Sequence, residues 1–245
     1  MIMKKIIALF VFTLFSYFIA LSQKQMIDSI VNVGIQKFDE KNYSDALVEF
    51  EKVLYAEKLN EKAIIGKVNS LIKLDKIKDA SDYVEDNLNK NNDKPVFNFA
   101  HGIILSYKDQ FKKAIEEFNI ALTNADSETL KKAYISRGIA YNSTKDYESA
   151  IEDFTTYLEY DKENINALYY RGFTYYLQED YANAIKDFEN VVAKDEENAY
   201  AYYNLGMSYY RSNKLLNACK NFQSACQLNV TNACKMILTD CVKNY

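Results

Sequence analysis

Glycine and proline are nearly missing from this chain, with six Gly and one Pro in 245 residues. Sandwiches, barrels and doubly wound sheets turn often, and their turns draw on those two residues. Their scarcity argues against such folds and leaves helices joined by short loops. Histidine occurs once, as His101, and the four cysteines are confined to residues 219–241. A zinc site or a Cys/His active site has few parts to work with. There is no basic excess either: 30 Lys and Arg stand against 34 Asp and Glu, a balance that argues against nucleic-acid binding. No Gly-rich phosphate loop, no Gly-x-Ser-x-Gly elbow and no His-Glu-x-x-His pattern is present. Acidic pairs such as Glu116-Glu117 and Glu196-Glu197 read as solvated faces. What the chain does have is apolar content, 49%, enough for a substantial core.

The first residues have a targeting pattern. Lys4 and Lys5 are followed by the uncharged, apolar run 6–21, then by Ala20-Leu21-Ser22 and the polar Gln23-Lys24-Gln25. That order is basic region, apolar region and small-x-small cleavage site, which predicts a signal peptide over 1–22. An apolar run of sixteen residues at ~1.5 Å each falls short of a ~30 Å hydrocarbon core, so a membrane anchor formed by residues 6–21 is the alternative. No Cys follows the run, against a lipoprotein. Losing Lys4 and Lys5 takes the formal charge from −4 to about −6. The expectation is an acidic, exported protein, periplasmic or secreted.

From residue 27 onward a period of 34 governs the chain. Ala46, Ala80 and Ala114 are 34 apart, as are Ala150, Ala184 and Ala218; the step between the two sets is 36. Four residues after each Ala stands a large apolar side chain: Phe50, Val84, Phe118, Phe154, Phe188 and Phe222. Twelve residues before each Ala stand Gly34, Val68, Gly102, Gly138, Gly172 and Gly206. Gly66 sits two residues early in the one repeat that lacks the glycine, and the sole proline, Pro95, opens the third repeat. Within a repeat, Leu168 to Leu177 has helical spacing, a polar Gln178-Glu179-Asp180 turn follows, and Tyr181, Ala184, Ile185, Phe188 and Val191 form a second helical pattern. Gly on one helix and Ala on the other allow close backbone approach. One such hairpin cannot bury both faces and must stack on its copies.

This pattern resembles the tetratricopeptide repeat. Leu168, Gly172, Tyr175, Tyr181, Ala184 and Phe188 match the family's positions in one repeat, and Tyr202, Leu205, Gly206, Tyr209, Ala218, Phe222 and Ala225 in the next. The second repeat departs from it, with Lys67-Val68 for Leu-Gly, and the family's loop proline is missing, although Asp161 and Asp195 stand beside its place. Six repeats are predicted, 27–60, 61–94, 95–130, 131–164, 165–198 and 199–232, with a capping helix over 233–245. The resemblance implies an all-α, right-handed solenoid of six hairpins with a concave groove, and a binding module without a cofactor, not an enzyme.

Of the chain's 21 Tyr and 14 Phe, several fall where the groove lies in this family. Tyr169, Phe173, Tyr176, Tyr200, Tyr203, Met207 and Tyr210 are the expected partner-binding residues, because a soluble protein seldom exposes such a stripe without a partner. The competing reading is that curvature of the solenoid buries much of it. Val31, Ile65, Phe99 and Ile135 stand where the carboxylate clamp of chaperone-binding members has Lys, so that function is disfavoured. His101 shares its repeat position with Arg137 and Arg171 and reads as an interface residue. Arg137 and Arg171 co-occur with Asp153 and Asp187 at a second repeat position, which predicts two structural ion pairs; an anion-binding site is the alternative. The expected partner is a protein or peptide, with no nucleic acid, no small-molecule substrate, and membrane contact only through an uncleaved 6–21 segment. Two functions follow: an envelope scaffold that holds a partner segment in the groove, or a structural subunit that binds through its outer face or ends.

Cys219 and Cys226 are seven apart on the last repeat's second helix, and Cys234 and Cys241 are seven apart on the cap. Two antiparallel helices in one register pair Cys219 with Cys241 and Cys226 with Cys234. The inner spacing is similar to that of disulfide-rich secreted relatives of the repeat family. Pairing within one helix is excluded, since residues seven apart lie ~10 Å apart. Four free thiols and a zinc site are the alternatives.

Overall fold

The computed structural model describes residues 2–90, 94–123 and 127–241; the side chains of residues 2–16 and of Phe18 lie outside the description, as do residues 242–245. The described elements are α1 (Ile2–Asp39), α2 (Tyr43–Ala56), α3 (Glu61–Lys73), α4 (Ile77–Lys90), α5 (Pro95–Tyr107), α6 (Phe111–Leu122), α7 (Glu128–Thr144), α8 (Tyr147–Tyr160), α9 (Ile165–Leu177), α10 (Tyr181–Lys194), α11 (Ala199–Arg211), α12 (Leu215–Gln227), α13 (Thr231–Met236) and a π-helical turn, Ile237–Cys241. No strand occurs among them, and the fold is an all-α solenoid. The cap differs in detail from its predicted span: α13 begins at Thr231 and gives way to the π turn at Ile237.

With so little Gly and Pro, other residues must start and stop the helices. Side-chain oxygens of Asn42, Asn60, Asp146, Asn164, Asp180 and Asn198 accept a hydrogen bond from the backbone N–H three residues on, and Ser127 caps α7 in the same way. The turn from the first to the second helix of each hairpin carries one left-handed residue: Lys41, Asp75, Asp109, Lys145, Glu179 and Asn213, all with φ between 57° and 64°. These six positions follow the 34-residue period, and none is glycine. A left-handed side chain costs ~1–2 kcal/mol, partly offset by the freedom glycine gains in the unfolded chain. Lys145→Gly is therefore expected to raise stability by about 0.5–1 kcal/mol in urea denaturation; a loss would show that the turn is unstrained.

The chain divides into two compact units, residues 1–104 and 105–245. In the first, the described part of α1 up to Met26 is exposed, and packing begins at Ile27 and Ile30, which lie against a core of Val31, Ala46, Phe50, Val53 and Ala63. The expected cleavage point after Ser22 falls inside the exposed stretch. Among the described residues no helix is long and apolar enough to cross a membrane. Phe50 is held between two glycines, one on each neighbouring helix. A Cβ on Gly34 would lie 2.8 Å from the Phe50 ring, and one on Gly66 only 2.4 Å. Gly66 thus serves the Phe of the preceding hairpin, which explains its displaced register.

In the second unit α7/α8, α9/α10 and α11/α12 are hairpins that stack in order. The repeating Ala150, Ala184 and Ala218 are fully buried, and so are Phe154, Phe188 and Phe222. One core cluster joins Tyr157, Leu158, Ala167, Leu168, Val191 and Ala201; a second joins Phe188, Leu205, Tyr209, Phe222, Ala225, Ala233 and Cys241. The first helices neighbour one another, α7 with α9 and α9 with α11, and so form one continuous face.

Candidate functional site

The face of α9 and α11 carries the predicted aromatic stripe. Tyr169, Phe173 and Tyr176 recur at helical spacing on α9, and Tyr200, Tyr203, Met207 and Tyr210 on α11. Six of the seven are half-buried, while Tyr200 is 67% exposed. Their inner edges rest on the core: Tyr169 meets the Phe188 ring edge-on at 5.7 Å, and Tyr203 lies 6.1 Å from Phe222. Tyr176 packs on Tyr181 at 5.7 Å. The stripe is therefore seated on the stack with its outer surface open.

Two hydrogen bonds tie successive hairpins together on this side. Asn204 Nδ2 donates to the Tyr169 hydroxyl at 2.9 Å, and Asn142 Nδ2 donates to Thr174 Oγ1 at 2.8 Å. Burial pushes the Tyr169 phenol upward from its ordinary pKa, against the pull of Asn204, so the ring stays neutral. The corresponding positions on α7, Ile135, Ile139 and Asn142, are also uncharged and half-buried. Of the matching positions in the first unit, Val31, Ile72 and Phe99 are buried, Phe38, Ile65, Asn69 and Ile103 are half-buried, and Ile35 is 40% exposed.

Arg137 and Arg171 do make the predicted contacts, and each reaches a third helix as well. Arg137 Nε and Nη2 donate to the two carboxylate oxygens of Asp153 at 2.8 and 2.6 Å, and its Nη1 donates to Asn119 of α6 at 2.6 Å. Arg171 repeats this with Asp187 at 2.8 Å on both arms and with Thr155 of α8 at 3.3 Å. Each guanidinium therefore binds its own hairpin to the preceding one. Burial pushes the Asp153 carboxyl above its usual pKa, although Arg137 pulls the other way. The hydrogen bond that Arg171 donates to Asp187 pushes the Arg171 pKa upward.

Lys67 occupies the same repeat position in the first unit and uses the same columns. Its Nζ lies 2.9 Å from Glu51, the counterpart of Asn119 and Thr155, and 4.4 Å from the centre of the Tyr83 ring, the counterpart of Asp153 and Asp187. Burial, aided by the charge of Glu51, raises the Tyr83 phenol to about 12. Reading Arg with Asp alone missed Lys67, which faces a ring at the Asp position and takes its carboxylate from Glu51; the 34-residue column was the signal that could have found it. His101, in that same column, is half-buried between Ala100 and Gly102, which are buried.

At the end of the chain Cys219 is bonded to Cys241 and Cys226 to Cys234, with Cα separations of 5.8 and 4.9 Å. These bridges tether α13 and the π turn to α12. Among the described residues no group of His, Cys, Asp and Glu is arranged to hold a metal ion. On the outer side of the stack, α8 and Gln178 border a cleft of about 470 Å³ lined by Glu148, Ile151, Glu152, Thr155, Thr156 and Glu159.

Residues 131–164 and 199–230 match the tetratricopeptide repeat family model, and residues 174–213 match a further TPR repeat model. Residues 34–136 match the model described as the TT21 fifth ARM repeats domain. The matches to tetratricopeptide repeat models thus all fall in the second unit. A curated relative from Dictyostelium discoideum, the DnaJ homolog subfamily C member 7 homolog, is 27% identical over 165 residues, 61% of this chain; the match spans 31% of that relative's length. Among solved structures, PilW, a widely conserved type IV pilus biogenesis factor, is similar with a TM-score of 0.71 at 16% identity, over 88% of this chain and 99% of that one. YrrB, a TPR protein with an unusual peptide-binding site, gives a TM-score of 0.58 at 18% identity, over 74% of this chain and 93% of that one. These two likenesses show the fold.

Proposed function

We propose that this solenoid is an exported, non-enzymatic scaffold of the cell envelope, built of six repeats, which holds an uncharged apolar or aromatic segment of a partner protein on the face of α7, α9 and α11. The observation that carries this reading is the contrast between the two units. In the first unit three of the matching positions are core and most are aliphatic, whereas on α9 and α11 none of the seven stripe residues is buried and all but Met207 are aromatic. Tyrosines anchored at their base and open at their edge offer contact area at little cost in rotamer freedom. YrrB, similar in fold, is a TPR protein with a peptide-binding site. The basic-then-apolar start of the sequence supports export, and the absence of a nucleophile–base pairing in the motifs supports a role without catalysis.

A display library of random peptides, selected on the purified chain, tests this. Uncharged segments rich in apolar and aromatic residues are the expected winners. Phe173→Glu and Tyr203→Glu should each weaken their binding about tenfold or more. Unchanged binding with helical content intact would remove the groove reading. The second reading, a structural subunit that binds through its outer face, is favoured by the acid-lined cleft on α8. On that reading Glu152→Lys disrupts assembly and Phe173→Glu does not.

A further inference from the structure

The two disulfides hold the same terminal segment, yet their surroundings differ. The inner one, Cys226–Cys234, clips the end of α12 to α13 across a separation of eight residues. The outer one, Cys219–Cys241, returns the end of the π turn to α12 across a separation of 22. Between the bridges the segment is short and mostly exposed. Helix α13 is six residues long, too short to persist alone, and it runs into a π turn, a rare form of helix. Of the residues from Thr231 to Cys241 only Ala233 and Cys241 are buried, and Leu238 is 70% exposed.

What the segment touches is the end of the aromatic stripe. The Tyr210 hydroxyl donates to Asp240 Oδ1 at 3.1 Å, and Met236 and Ile237 pack on the core cluster that also takes Tyr203, Met207 and Tyr210. Tyr210 is the last stripe residue on α11. The carboxylate holds the phenol proton, which pushes the Tyr210 pKa upward.

We propose that residues 237–241 are a strap closed over the C-terminal end of the α11 face, with the Cys219–Cys241 bridge as its latch, so that a segment lying along the stripe must stop at Tyr210. The inner bridge anchors α13 and leaves the strap free to open about it. Cutting the outer bridge releases the strap at its far end; cutting the inner bridge leaves it closed, because Cys241 still holds it. The consequence for an occupant rests on the proposed binding face, but the closure itself does not.

Hydrogen–deuterium exchange on the full oxidised chain reads the closure without any ligand. In Cys219→Ser/Cys241→Ser, amides of residues 237–241 and 207–211 should exchange about tenfold faster or more, with α9 and α10 unchanged. In Cys226→Ser/Cys234→Ser, exchange at 207–211 should stay near wild type. Wild-type exchange in the outer-bridge variant, or equal acceleration in both variants, overturns the proposal. If the outer-bridge variant does not fold, Tyr210→Phe with both bridges intact supplies the test: faster exchange at 237–241 supports the strap, and unchanged exchange overturns it. Failure of the peptide selection with these exchange differences present would sink the binding face and leave the strap.

Discussion

Replacing Arg137 by Met should cost about 3–5 kcal/mol, whereas replacing Arg137 by Met and Asp153 by Leu together should cost far less. The asymmetry follows from where the charges sit. Asp153 is 3% exposed and keeps its charge only because two guanidinium nitrogens point at it. Removing the guanidinium strands a carboxylate inside the stack and also unties Asn119 of the preceding hairpin. Removing both charges leaves an apolar contact of similar shape. The native pair itself need not stabilise much, since burial already holds the Asp153 carboxyl above its usual pKa. The sign of the pH effect follows: a group with a raised folded pKa binds its proton more tightly when folded, so its contribution declines as pH rises through the carboxyl range. Without Arg137 to pull it down, the Asp153 carboxyl rises further in the variant, which therefore gains more from acid than wild type does, and the deficit of Arg137→Met should shrink on acidification from pH 7 towards pH 5. Urea denaturation at both pH values measures this. A double variant as damaged as the single one would contradict the account.

Phe50→Ala should cost a further large amount, about 3–5 kcal/mol, because Phe50 is 1% exposed and fills the gap between α1 and α3. The informative partner is Gly66. On its own Gly66→Ala gains ~1 kcal/mol of helix propensity but drives a methyl to 2.4 Å from the Phe50 ring, and overpacking of that kind costs ~1–3 kcal/mol. In the Phe50→Ala background the clash is gone, so Gly66→Ala should turn from harmful to helpful. Gly172→Ala is the control: its nearest neighbour is the Asp187 Cβ at 3.1 Å, and a small change of either sign is expected. Additive effects at Phe50 and Gly66 would mean that the two do not meet as described.

The contrast between what the sequence disclosed and what it withheld is physical. Contacts within a hairpin recur at a fixed spacing, so Arg137 with Asp153 and Arg171 with Asp187, each 16 apart, could be paired from the period alone. Contacts between hairpins depend on how one packs on the next. The third contacts of the arginines, to Asn119 and Thr155, were not legible for that reason; the intervals are 18 and 16 residues because the loop before α7 carries two extra. The left-handed column of turns was hidden because Lys, Asp and Glu fill it where glycine would have announced it. Gly66 looked like a misplaced consensus residue until the ring it accommodates was seen to belong to the hairpin before it. The aromatic stripe was legible as a set of positions, but the burial of Val31, Ile72 and Phe99 at the matching places was not, since burial depends on the packing of neighbouring helices and not on residue type.

The claim on which the functional account turns is that a partner lies against the first helices of the second unit. Site-specific photo-crosslinking in the native setting tests it most directly, with the crosslinking amino acid placed either at Phe173 on α9 or at the exposed Lys186 on α10. The account predicts a covalent adduct with a partner protein from position 173 and none from position 186. An adduct from position 186 with none from position 173 would contradict it and assign binding to the outer face.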